Sequence, residues 1–132
     1  MLIGLIGKKS LVKTAQVVIP DTNQDSGEFD KVWKCKIDAL GSVGVYEPTR
    51  VQFAFQITCC GRGSAYHNGI ENHESSLFRK SFPKLPLFGF FSNGELGHDH
   101  FSKHQQNKSD DFYERLQTYT FSSIFTIISI NT

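Results

Sequence analysis

The run Leu87-Phe88-Gly89-Phe90-Phe91 contains no polar side chain, and so short an apolar stretch has few places to go in a folded chain. It is too brief for an ordinary helix and lacks apolar–polar alternation, which is the pattern of a strand buried on both faces. Such a strand needs neighbouring strands and helices packed over them. Pro83 and Pro86 stand just before it, and Ser92-Asn93-Gly94-Glu95-Leu96-Gly97 follows with the composition of a turn.

The rest of the chain supplies those partners. Leu11 to Ile19 is β-branched and roughly alternating up to Pro20, which reads as a strand. Asp25 and Glu28 have the spacing of a capping box, and Phe29, Val32, Trp33, Ile37 and Leu40 behind them fall on one helical face. Gly41 is expected at the end of that helix and opens a turn-rich connection to Pro48. Val51 to Thr58 alternates as a half-buried strand does, and runs into the tight loop Cys59-Cys60-Gly61-Arg62-Gly63. A second helix is expected over residues 72–82, with Leu77, Phe78 and Phe82 inward. Residues 98–111 are polar without an apolar period and read as a flexible loop, and Tyr119 to Ile130 reads as one last strand. The order β, α, β, α, β, loop, β predicts an α/β fold, with α+β as the alternative, built on a mixed sheet carrying two packed helices.

A length of 132 residues fits one domain, and a net charge of +1 offers no clustered basic footprint for nucleic acid or an acidic membrane. The longest apolar-rich stretch, Phe121 to Ile130, is too short to span a bilayer. In Met1 to Lys9 the positive charges follow the apolar residues, the reverse of a secretion signal. An odd count of three cysteines, two of them adjacent at Cys59 and Cys60, suits a reducing compartment, so the cytoplasm or nucleus is the expected location.

Two segments have the chemistry of a binding site. Cys60, Gly61, Arg62 and Gly63 sit where a strand hands over to a helix, and freed backbone N–H groups beside a guanidinium suit a carboxylate or phosphate. Tyr66 stands where a dinucleotide fingerprint needs its third glycine. Asn93, Gly94 and Glu95 form the second segment; together, Arg62 and Glu95 would suit the two ends of an amino acid. The same residues also suit a tight turn in which Arg62 pairs with an internal carboxylate such as Glu95. His98, Asp99, His100 and His104 have metal-like spacing but fall in the polar loop, without the rigid support a zinc site requires. Cys59 and Cys60 would need a positioned base to act as nucleophiles, with His67 and His73 as formal candidates, and buried structural cysteine is the simpler expectation. No cofactor is expected.

The run Cys60-Gly61-Arg62-Gly63, followed by Phe78 through Gly97, closely resembles the FIST C-terminal domain of the F-box only protein 22 family. That family's hallmark is Gly-Phe-Phe-x-x-Gly-Glu-Ile-Gly, and Leu96 stands here for the usual isoleucine. The strand from Val12 to Ile19 and the stretch from Asp110 to Ile130 are similar too. Residues 1–132 then correspond to a single partial FIST C-terminal domain, with the F-box and the FIST N-terminal half outside it. The polar stretch Phe101 to Lys108 replaces an apolar strand of the family, which would leave a sheet edge open. The resemblance implies the substrate-recognition half of an SCF-type ubiquitin ligase receptor acting in proteasomal degradation. Its partner would be a protein substrate, with the adaptor and cullin reached only through the F-box. A small-ligand sensor for amino-acid-like molecules and a fragment without independent function are the alternatives.

Overall fold

The computed structural model describes residues 11–23, 25–42, 44–47, 49–97, 99–101 and 117–131. Strand β1 (Val12–Ile19) leads through Pro20 to helix α1 (Ser26–Ser42). The Asp25 carboxylate accepts the N–H groups of Gly27 at 2.9 Å and Glu28 at 3.0 Å, so the helix starts at the cap the sequence predicts. Gly41 does not stop it. The helix runs on to Ser42, and the left-handed residue beyond it is Gly44, at φ 64°.

Strand β2 (Val51–Cys59), helix α2 (His73–Ser81) and strand β3 (Leu87–Ser92) form a parallel crossover unit. The remaining strands are β4 (Glu95–Gly97), β5 (His100–Phe101), β6 (Gln117–Tyr119) and β7 (Ser123–Ile130). The main sheet has the order β3-β2-β7-β1-β5, while β4 and β6 pair separately. The last strand in sequence is therefore central, antiparallel to both β1 and β2. The single strand expected over Tyr119 to Ile130 is broken in two around Phe121, whose φ of 51° turns the chain.

Register puts Ala15, Ile127 and Ala54 side by side on one face, joined by Val17 and Phe125, and both helices pack there. Helix α1 contributes Phe29, Trp33, Ile37 and Leu40, with Trp33 edge-on to Phe125 at 5.1 Å. Phe78 of α2 stacks on the same Phe125 ring at 5.2 Å. Fully burying a phenylalanine contributes roughly 1.5–3 kcal/mol, so this aromatic junction accounts for much of the local stability. The mixed sheet with two packed helices is as expected.

One expectation fails. Strand β3 is not buried on both faces; it pairs only with β2 among the described residues, and Phe88 and Phe91 are 56% and 64% exposed. Of residues 98–111, read from the sequence as a flexible loop, residues 99–101 are described. β5 pairs with Ala15 and Gln16 of β1, and Asp99 accepts the Val18 N–H at 2.9 Å while pairing with Lys36. That tie satisfies backbone donors on the outer edge of β1. The remainder of that stretch, with His98, lies outside the described residues.

Candidate functional site

Arg62 follows the β2 strand end, and its side chain turns inward, into the space between strand ends and the start of α2. Its Nε donates to Glu74 Oε1 at 2.8 Å, and one terminal nitrogen donates to the carbonyls of Pro20 at 3.0 Å and Phe121 at 2.7 Å. The guanidinium lies 4.7 Å from the Tyr66 ring centroid and 5.6 Å from that of Phe29. One buried side chain thus ties the end of β1, the start of β7 and the N-terminal turn of α2 together.

Glu74, buried to 4% exposure, also meets His67 Nε2 at 2.9 Å. Burial pushes its carboxyl upward, but the His67 hydrogen bond, the Arg62 charge and Ser123 outweigh that and hold it below 4.5. Beside it, Tyr66 donates to Asp21 at 2.7 Å and accepts the Thr22 N–H at 3.1 Å. His73 is held below its usual 6.5, first by burial and then by the nearby His67. The expected pairing of Arg62 with Glu95 does not occur.

Glu95 is buried elsewhere, its two oxygens accepting Ser92 Oγ at 2.9 Å and Ser122 Oγ at 2.8 Å. It closes the turn between β3 and β4, where Gly94 has a φ of 93°. Gly97 lets β4 lie close over the sheet, since a Cβ there would stand 2.7 Å from Ile124 Cδ1. A Cβ on Gly61 would stand 2.4 Å from the Phe121 ring, so this glycine too serves packing. The structure does bring the two predicted segments together: Cys60 N–H donates to Ser92 O at 2.8 Å and Cys60 Sγ lies 2.9 Å from Asn93 Oδ1. Their two charged residues are each consumed by internal partners instead of facing one another.

Sequence reasoning missed Glu74, although a signal was present. It precedes Phe78 by four residues and so falls on the inward face of α2, where a carboxylate requires a buried cation. Cys59 is buried as expected, whereas Cys35 and Cys60 are exposed free thiols. His67 bonds to Glu74, not to a cysteine. No cluster of three or more metal-ligating side chains occurs among the described residues, and no described helix is long and apolar enough to cross a membrane.

Among the described residues, a groove and an aromatic patch stay open. A groove of about 490 Å³ runs over β3, floored by Gln56, Thr58 and Gly89 and walled by residues at the start of α2, with Glu71 and Arg79 on its lining. Of the predicted ligand residues, Arg62 and Gly63 line it; Cys60, Gly61, Asn93, Gly94 and Glu95 do not. On the sheet face away from the helices, Phe53, Phe55 and Phe88 form an aromatic cluster with ring centroids 6.0–6.4 Å apart. Phe88 at 56% and Val51 at 53% exposure make this patch accessible.

Residues 10–98 match the family model described as the FIST C domain. The chain is 30% identical over 135 residues to the proteins named F-box only protein 22 of Homo sapiens and Pongo abelii, covering 97% of this chain and 31% of each relative. It is 34% identical over 77 residues to an F-box/LRR-repeat protein of Arabidopsis thaliana, covering 58% of this chain and 14% of that relative. The chain therefore spans about a third of the length of its F-box only protein 22 relatives.

Proposed function

The chain belongs to the FIST C domain family, and from that premise we propose that it forms part of the substrate-binding half of an F-box receptor, presenting a protein for ubiquitination by an SCF-type ligase. The observation that carries this reading is the aromatic patch of Phe53, Phe55 and Phe88 on the helix-free face of the sheet. Contiguous exposed apolar surface marks protein-binding sites, and aromatic side chains supply most of the binding energy where such surfaces are covered. The names of the relatives support the F-box assignment. On this reading the domain transfers nothing itself; its buried charges hold the fold, and ubiquitin chemistry belongs to other subunits reached through an F-box. The exposed thiols Cys35 and Cys60 suit a reducing cytoplasm or nucleus.

The test uses a full-length protein carrying both an F-box and this domain. Purification should retrieve the ligase adaptor and cullin, and Phe88→Ser with Val51→Ser should abolish substrate retrieval and turnover while adaptor binding is unchanged. Unaltered substrate turnover in that variant, or failure to retrieve the adaptor, would refute the reading.

The groove favours a second reading, a small carboxylate ligand such as an amino acid, because its volume lies in the usual range for ligand pockets. With Arg62 and Glu95 both turned inward, such a ligand would meet His73 and Arg79 in place of the Glu95 segment. Calorimetric titration of amino acids against the domain, with no heat from any, would eliminate it.

A further inference from the structure

Among the described residues, strand β3 is an edge without protection. Its six residues Leu87-Phe88-Gly89-Phe90-Phe91-Ser92 carry no charge, and its outer hydrogen-bonding side has no described partner. Edge strands in soluble proteins are ordinarily guarded by lysine, an inward charge, a bulge or a covering element. The opposite edge of this sheet is covered: β5 and the Asp99 carboxylate occupy the outside of β1. An uncharged aromatic edge left open is a template for another strand.

We propose that a second copy of this chain pairs with it, β3 against β3 in antiparallel register centred on Phe90. The sequence of the strand is self-complementary in that register. A two-fold axis normal to the sheet keeps the helix faces of both copies on one side, so only residues of like face stand opposite one another. Leu87, Gly89 and Phe91 belong to the helix face, because their partners in β2 are Ala54, Gln56 and Thr58. Centring on Phe90 then sets Phe91 of each copy over Gly89 of the other. Gly89 leaves a flat gap that packing forbids any other residue to fill, since a Cβ there would stand 2.4 Å from the Gln56 carbonyl oxygen. An exposed ring two residues from an exposed glycine on the same face thus finds its complement across the two-fold, the arrangement in which aromatic side chains cover edge glycines.

Charge agrees with a copy as the occupant. Glu71 and Arg79 line the same groove, Glu71 just ahead of α2 and Arg79 in its last turn. Since α2 returns the chain to the start of β3, Arg79 lies towards the Leu87 end and Glu71 towards the Phe91 end. The two-fold reverses one groove against the other and brings the acidic end of each alongside the basic end of its mate. A net charge of +1 opposes self-association only weakly.

The experiment is light scattering on the 132-residue chain over a dilution series. The expected mass is near twice 14.9 kDa, falling to the monomer value in Phe91→Lys and in Phe91→Ser. Phe91 is exposed, so both variants should keep the parent circular dichroism, and the parent melting temperature at a dilution where the parent is monomeric. Val51→Lys, which alters the helix-free face away from this edge, should remain dimeric. With Cys35 and Cys60 replaced by serine, Phe90→Cys should oxidise to a disulfide-linked dimer, because Phe90 faces itself across the axis. A monomer at every concentration overturns the proposal and leaves the edge to a different polypeptide strand. A dimer lost in Val51→Lys, or one that Phe90→Cys does not cross-link, overturns it as well. None of these readouts depends on a ligase substrate, so this inference and the F-box reading can fail separately.

Discussion

Strands β3 and β7 are made of similar material and meet opposite fates. In β7, six of eight residues are buried, with Phe125 and Ile127 fully enclosed. In β3 no residue is buried, although its sequence is the more uniformly apolar. The difference lies in where the chain places them. β7 enters between β1 and β2, which run parallel to each other, and pairs antiparallel with both; β3 arrives through α2 beside β2 and stops at the border. Apolar content states that a strand can be buried, and neighbours decide whether it is.

That contrast can be broken or sharpened by measurement. Phe125→Ala removes the ring on which Trp33 and Phe78 pack, and should cost about 3–5 kcal/mol in urea denaturation. Arg62→Met strands the buried Glu74 carboxylate and should cost a similar amount, about 3–5 kcal/mol. If the pair acts only through its charge, Arg62→Met with Glu74→Leu should recover most of that loss in the same assay. Gly89→Ala drives a methyl against the Gln56 carbonyl and should cost about 1–3 kcal/mol, even though β3 is exposed. Phe91→Ser, measured at a concentration where the chain is monomeric, should change stability by no more than about 0.5 kcal/mol. A large loss there would mean that the edge ring is packed, and the contrast with β7 would collapse.

Acid should act on the strand ends before it acts on either strand. His73 is held below 6.5, so the unfolded chain takes its proton first, and stability falls as pH drops from 6.5 through the lowered folded value. Glu74 is held below 4.5 and adds a second loss as pH drops below that value. Denaturation midpoints between pH 8 and 3 should decline in those two windows. Glu74→Gln should flatten the lower one; an unchanged acid limb would place the titrating group elsewhere.

Several features were legible because they depend on nearby residues. Asp25 announces the start of α1, the spacing of Phe29, Trp33, Ile37 and Leu40 gives its buried face, and the alternation from Val51 gives β2. The glycine-rich segment from Phe88 to Gly97 marked the family correctly. The partner of Arg62 was not legible in the same way. Glu74 and Glu95 lie 12 and 33 residues further along the chain, both are buried, and each needed some donor. Two serines satisfied Glu95, which left the guanidinium to the carboxylate on the inward face of α2.

By itself the sequence determined the two helices, the main strands, a mixed sheet and the family, because periodicity, caps and turn residues act within a few positions of themselves. Only the tertiary structure decided that the last strand lies in the middle, that Leu87 to Ser92 lies at the border, and that Arg62 faces Glu74. Those outcomes depend on which backbone edges and buried charges remain unmatched once every other element is in place. No local pattern encodes that competition.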